Sequence, residues 1–388
     1  MKRVVLILCA VLPFFSITTF AADGLGAAAN ATSEALQQVQ QYNFSIGILA
    51  MLLVGFGFLM VFIKQYGYSA TTGTFLLVAT TIPMYLLFRS MGWIAPEVIA
   101  ADTVKALLYA EFAAAAGLIA MGAVLGRLRV CQYAILGAII VPAYMLNEWL
   151  VSSGGLGITK GFVDMAGSIG IHAFGAYFGL GLAIALTTGA QRKMKIEVDE
   201  TSLRFSMLGS MVLWVFWPSF CSAIAPTGDI QKTVINTILA LCGATLATYL
   251  TSVAVRKKKV DYCDIINASL AGGVAIGATC NVVGPLAAFG IGIAAGVLCV
   301  VGFAIIQPAV EKWLKIVDTC GVHNLHGMPG LFGGLIAILV VPGISVGGQL
   351  VGIAFTVVLA FVAGSIGGYL IKITGEKKTP YLDGDEFS

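Results

Sequence analysis

Eleven apolar stretches, each close to the length needed to cross a bilayer, alternate with short polar joints along these 388 residues. They run approximately over 42–63, 70–88, 104–126, 131–151, 163–189, 204–225, 233–255, 262–281, 285–306, 314–341 and 347–371. A helix needs about 20 apolar residues to span the hydrocarbon layer. In that layer every backbone polar group must be paired within the protein, which leaves helices or a closed barrel. Runs of this length predict helices, so the expected fold is an all-α polytopic membrane protein. The composition agrees: 59% of residues are hydrophobic and 11% charged, against about 25% charged in a soluble domain. The 47 glycines predict close helix packing.

Lys2 and Arg3, an apolar run and the small-residue end Thr19-Phe20-Ala21-Ala22 have the anatomy of a cleaved secretory leader. The expected organisation is a signal peptide over 1–22 and a polar extracytoplasmic segment over 23–41. A channel domain follows over 42–372, with halves at about 42–189 and 204–341 and a last span at 347–371. A tail over 373–388 ends the chain. With the amino terminus outside, sixteen Lys and Arg residues of the mature chain fall on inside joints and four, Arg89, Lys105, Lys160 and Lys232, on outside joints. That asymmetry obeys the positive-inside rule and supports eleven spans, because one miscounted helix would scramble every later joint. The carboxy terminus is then cytoplasmic.

Two histidine segments match. Gly170-Ile171-His172 is followed seven and eight residues later by Gly179-Leu180, and Gly321-Val322-His323 by Gly330-Leu331 at the same offsets. Asp164 and Asp318 precede them at unequal distances. The copies fall in the fifth and tenth spans, and an offset of five inverts the second copy in the membrane. Inverted repeats place binding sites near the midplane. His172 lies some 13 Å into its span at about 1.5 Å per residue, so His172 and His323 are expected to meet near the bilayer centre.

Ionisable groups in a membrane interior are costly and mark functional positions. A neutral imidazole donates one hydrogen bond and accepts another, which suits a small polar neutral molecule; a pair of core histidines joining helices is the structural alternative. His326, one turn beyond His323, extends the same face or bonds a neighbouring helix. Asp164 opens the fifth span as a helix cap or as part of a pore mouth. Glu148, near the end of the fourth span, is an interfacial carboxylate or an attractor of cations. Phe112 and Phe220 lie on the third and sixth spans. Trp214-Val-Phe-Trp217-Pro-Ser-Phe220 combines aromatic density with a proline, a residue tolerated best where a helix lines a cavity.

No Walker loop, GxSxG elbow, HExxH site or C-x-x-C-H haem attachment occurs. Seven cysteines remain after the leader, none in a CxxC pair, and they read as small apolar residues with no metal role. The sequence points to no enzyme, no cofactor and no nucleic-acid partner. The scarcity of intramembrane acids favours a channel over an ion-coupled pump.

Asp164-Met-Ala-Gly-Ser-Ile-Gly-Ile-His172-Ala-Phe-Gly-Ala-Tyr-Phe-Gly-Leu180 resembles the fifth-span motif of the ammonium transporter/Rhesus family. Asp318-Thr-Cys-Gly-Val-His323-Asn-Leu-His326-Gly-Met-Pro-Gly330 and Trp217-Pro-Ser-Phe220 resemble its Rhesus-type branch. The likeness covers nearly the whole mature chain. It implies eleven spans with a five-plus-five inverted repeat and a final helix, assembled as a homotrimer with one pore per subunit. It implies His172 and His323 as twin pore histidines, with His326 a further pore histidine. Phe112 and Phe220 would form a stacked gate, Trp217 would line the pore, Asp164 would be the structural aspartate of the mouth and Glu148 a vestibule acid. Ammonium transporters proper hold the cation in an aromatic cage; here Leu108 stands one turn before Phe112, which departs from that pattern.

The expected function is passive conduction of ammonia, recruited as ammonium and deprotonated before a dry lumen in a bacterial inner membrane. Methylammonium and CO2 are further candidate substrates. The rival readings are a CO2 or small-gas channel, a redox subunit with haem on His172 and His323, and an ammonium sensor, which normally needs a signalling domain.

Overall fold

The computed structural model describes residues 20–94, 100 and 102–388. The leader expected over 1–22 falls chiefly outside the described residues. Two units are distinguished, Met1–Tyr42 and Asn43–Ser388; the first is helical from Phe20. Among the described residues there is no strand, and one isolated antiparallel bridge pairs Ile63 with Val198.

Among the described residues ten helices are long and apolar enough to cross a membrane. They are α1 Glu34–Phe62, α2 Gly67–Ser90, α3 Val104–Val124, α4 Val130–Ser152, α5 Ser168–Leu186, α6 Glu200–Ser222, α7 Thr227–Val255, α9 Pro285–Leu314, α10 His323–Val340 and α11 Val346–Ile373. The expected eighth span is shorter, α8 Tyr262–Ile276. It is broken at Ser269-Leu270, where the Ser269 hydroxyl donates to the Ile265 carbonyl. Asn236 of α7 covers the backbone beyond it, donating to the Cys280 and Val283 carbonyls at 2.8 Å each. A non-helical backbone at this depth persists because protein supplies the partners that lipid lacks.

The packing shows the internal repeat. In the first half α2 lies on α4 and α3 on α5; in the second, α7 lies on α9 and α8 on α10. Each contact recurs five helices later. The start of α5 packs on α10, and the start of α10 on α5, joining the halves. Helix α1 packs on α6, and α11 covers α4 and α5. Glycines set the spacing: a Cβ at Gly292 of α9 would collide with the Ala240 carbonyl of α7, and one at Gly364 of α11 with the Phe178 carbonyl of α5. Such approach replaces the hydrophobic drive that lipid does not supply between helices.

The tail is a strap across the helix ends. Asp383 accepts from the Tyr68 and Ser69 amides at 3.0 and 2.8 Å, capping α2. Glu386 accepts from the Val130 amide at the start of α4 and from buried Lys377, at 2.8 and 2.7 Å. The chain is a multi-pass membrane protein whose two inverted halves meet along α5 and α10.

Candidate functional site

The site begins with two aspartates. Asp164 Oδ2 accepts from the Ile169 and Gly170 amides at 3.0 and 2.7 Å. In the inverted half Asp318 accepts from the Val322 and His323 amides, both at 3.0 Å. Each carboxylate satisfies amides that have no intrahelical partner at a helix start. Three residues after each aspartate the chain turns through a left-handed glycine, Gly167 at φ 79° and Gly321 at φ 66°, a conformation glycine adopts without strain. A π-helical turn follows in both copies, Ser168–Ala173 and His323–Gly327. Such turns redirect side chains and recur at functional sites.

Aligned on aspartate and left-handed glycine, the residue eight positions after Asp164 is His172, and the residue eight positions after Asp318 is His326. These two meet. Their Nδ1 atoms lie 3.2 Å apart, with ring centroids at 5.3 Å and planes within 8°. The expected pair of His172 and His323 is therefore corrected. His323 is half-buried, sits edge-on to Tyr177 at 5.7 Å, and has a buried Nδ1 with no partner. The Gly-x-His match misled because it slid the second copy by three residues against the Asp-x-x-Gly turns that set the register.

The rings form a column. Trp217 lies on His172 at 5.6 Å and 15°, and Phe56 of α1 lies on His326 at 6.3 Å and 24°. Phe220 adjoins His172 at 5.7 Å and Phe112 at 4.9 Å. Phe112 and Phe220 were expected to stack; they meet at 62°, edge toward face, as the aromatic quadrupole favours. The imidazoles of His172 and His326 are in direct contact, so no porphyrin plane fits between these two rings.

A cavity reaches the column from each side. One, about 480 Å³, is lined by Glu148, Asp164, Tyr109 and Phe112 among others. The other, about 200 Å³ and largely apolar, is lined by Phe56, Leu118, Phe303 and His326 among others. Phe112 closes the first and His326 the second, so four side chains, Phe112, Phe220, His172 and His326, separate them. Glu148 Oε2 accepts the Tyr85 hydroxyl at 2.7 Å. Among the described residues no group of three or more His, Cys, Asp or Glu side chains is placed to hold a metal.

Sequence inspection passed over two features. Glu111 of α3, fully buried beside Phe112, accepts the Ser45 hydroxyl of α1 at 2.6 Å, and its other oxygen has no partner. It was readable as an acid in the midst of an apolar span. Arg89, 8% exposed, lines the Glu148 cavity over the Tyr85 ring; at the edge of a span it looked like an ordinary joint residue.

Comparison with known proteins agrees with this architecture. A profile of the Ammonium Transporter Family matches residues 4–382. Ammonium transporter Rh type B of Sus scrofa is 36% identical over 363 residues, covering 86% of this chain and 77% of that protein. The structure of Rh50 of Nitrosomonas europaea, of the Rhesus protein family of channels, is similar with a TM-score of 0.89 and 61% identity, over 91% of this chain and 93% of that one. Candida albicans Mep2 shares the fold at 18% identity, with a TM-score of 0.72 over 85% of this chain and 82% of its own. With its inverted halves and a profile match along almost its whole length, the chain belongs to the Ammonium Transporter Family, on the Rhesus side.

Proposed function

We propose that the protein is a passive channel that conducts ammonia as NH3 down its gradient. The observation that carries this reading is the contact between His172 and His326, set between two cavities that open toward opposite ends of the helices. In a neutral pair one Nδ1 donates to the other. The two remaining Nε2 atoms are then one acceptor and one donor, a combination that serves a molecule which both donates and accepts. Ammonium enters the Glu148 cavity and gives up its proton to the external water before the Phe112–Phe220 edge contact. Ammonia passes as those rings swing, exchanges hydrogen bonds with the histidines beside Trp217, and leaves through the apolar cavity. A charged species would lose its hydration among the rings of the column.

In this reading Asp164 and Asp318 are positioning residues: they hold the turns that place His172 and His326. Glu148 is the vestibule acid, and His323 stands behind the pair. The Glu148 face is outside and the tail cytoplasmic, following the distribution of basic residues. The setting is a bacterial inner membrane, and the assembly is a homotrimer with one lumen per subunit. The apolar lining of the tail-side cavity also suits CO2, which is the second reading.

Purified protein in liposomes with an internal pH dye tests the proposal. An inward ammonium gradient is expected to alkalinise the lumen with no accompanying membrane current. A current proportional to flux would contradict conduction as neutral ammonia.

A further inference from the structure

The charges lining the Glu148 cavity do not add up to a trap for cations. Among the described residues four Lys, Arg, Asp or Glu side chains line it: Arg89, Lys105, Glu148 and Asp164. Both acids are engaged, Asp164 by the Ile169 and Gly170 amides and Glu148 by the Tyr85 hydroxyl. The bases are not. Among the described residues neither Arg89 nor Lys105 is in an ion pair with a carboxylate.

Arg89 is the unusual one. Its side chain is more than nine-tenths buried and its Nε has no partner. Its Cζ lies 5.9 Å from the centroid of Tyr85, whose hydroxyl donates to Glu148. Tyr85 thus links the two charges, with the guanidinium over its ring and the carboxylate on its hydroxyl. The flat guanidinium is the cationic group best matched to an aromatic face. A buried charge is screened by salt much less than an exposed one. Arg89 therefore opposes, at short range, whatever attraction Glu148 exerts on an arriving cation.

Such a charge discriminates when the pathway beyond carries neutral molecules. It penalises every cation alike while the charge persists. Ammonium escapes the penalty by giving up a proton, and a potassium ion cannot. We propose that Arg89 is a specificity-determining residue of this vestibule: its guanidinium, held on Tyr85, offsets the Glu148 carboxylate, keeps ammonium weakly bound and turns away metal cations. The inference rests on the ammonia-channel reading, and its test separates the two.

The test measures ammonia flux into proteoliposomes against external ammonium concentration, with and without potassium chloride, for wild type, Arg89→Gln, Arg89→Lys and Lys105→Gln. Arg89→Gln is expected to lower the half-saturating ammonium concentration roughly threefold or more and to make potassium a competitor. Arg89→Lys keeps the charge and should shift it less. Exposed Lys105, once neutralised, should give a smaller decrease that salt removes, because the screening length is about 10 Å at 0.1 M. Wild-type half-saturation in Arg89→Gln with no potassium competition overturns the proposal, as does an equal shift in Arg89→Lys. If Arg89→Gln does not assemble, Tyr85→Phe decides: Arg89 keeps its charge there, so potassium should still not compete, and competition would contradict the proposal. Wild-type flux no faster than in empty liposomes would remove the channel reading itself, whereas conduction unaltered by Arg89→Gln removes the inference alone.

Discussion

His172 and His326, 154 residues apart, bring their Nδ1 atoms to 3.2 Å with nearly parallel rings. They come from helix starts related by inversion, and each lies eight residues after the aspartate that shapes its turn.

The two neighbouring histidines of α10 should therefore behave differently. His326→Ala is expected to change ammonia conductance or the selectivity between ammonia and methylammonium, as His172→Ala should. His323→Ala, away from the pair, should have the smaller effect. Stopped-flow flux on matched amounts of assembled protein decides; a dominant effect at His323 would restore the pairing first expected from the sequence.

Asp164→Ala and Asp318→Ala should act through architecture. Each removes the acceptor for two amides at a helix start, a loss of about 1–3 kcal/mol for every buried group left unpaired. Thermal unfolding in detergent should show both variants destabilised, and Asp164→Asn less so than Asp164→Ala. A fully stable Asp164→Ala that loses only flux would instead make Asp164 part of the conducting path.

At the aromatic barrier, Phe220→Ala removes the ring that touches both Phe112 and His172. Phe-to-Ala changes in packed cores cost about 3–5 kcal/mol, so the variant should unfold at lower temperature. It should also admit methylammonium more readily relative to ammonia. An unchanged ratio of the two rates would show that the rings do not limit passage.

The tail strap has a local signature. Losing a helix N-cap costs about 1 kcal/mol, so Asp383→Ala should speed hydrogen exchange of the Tyr68 and Ser69 amides that Asp383 now holds. Exchange as slow as in wild type would show that the strap does not stabilise α2.

Helix α6 carries a pH-dependent cap. Asp199 accepts from the Ser202 amide at 2.8 Å, and that hydrogen bond holds its carboxyl below the usual aspartate value. A lowered value in the folded protein means the contribution is complete above the unfolded aspartate value, near about 3.9, and is lost as pH falls through the folded one. Intrinsic Ser202 exchange must be divided out first; its protection factor should then fall with acid in wild type and vary less in Asp199→Asn. Equal pH dependence in both would exclude Asp199 as the source.

The spans were legible because length and hydropathy alone decide whether a segment crosses lipid, and the basic residues marked the joints. Helix α8 was less so: its break at Ser269-Leu270 lies inside an apolar run, and the carbonyls beyond its end are held by Asn236, a distant residue whose contacts no local pattern reveals. The inverted repeat was legible, but not its register. Gly-x-His is a short pattern in a glycine-rich chain, whereas Asp-x-x-Gly is the turn itself, and its meaning depends on backbone angles. Glu111 was visible as a buried acid, and only the fold shows that Ser45 meets it. The charge balance around Glu148 depends on Arg89, which lines the cavity from another helix, and on Tyr85, which donates to Glu148.

The central claim, that this chain conducts ammonia, is tested most directly by stopped-flow alkalinisation of pH-dye-loaded proteoliposomes under an inward ammonium gradient, with a CO2 gradient run in parallel. The account predicts faster alkalinisation than in empty liposomes for wild type, with that excess altered in His172→Ala and His326→Ala. Alkalinisation by the wild-type protein no faster than in empty liposomes would contradict it.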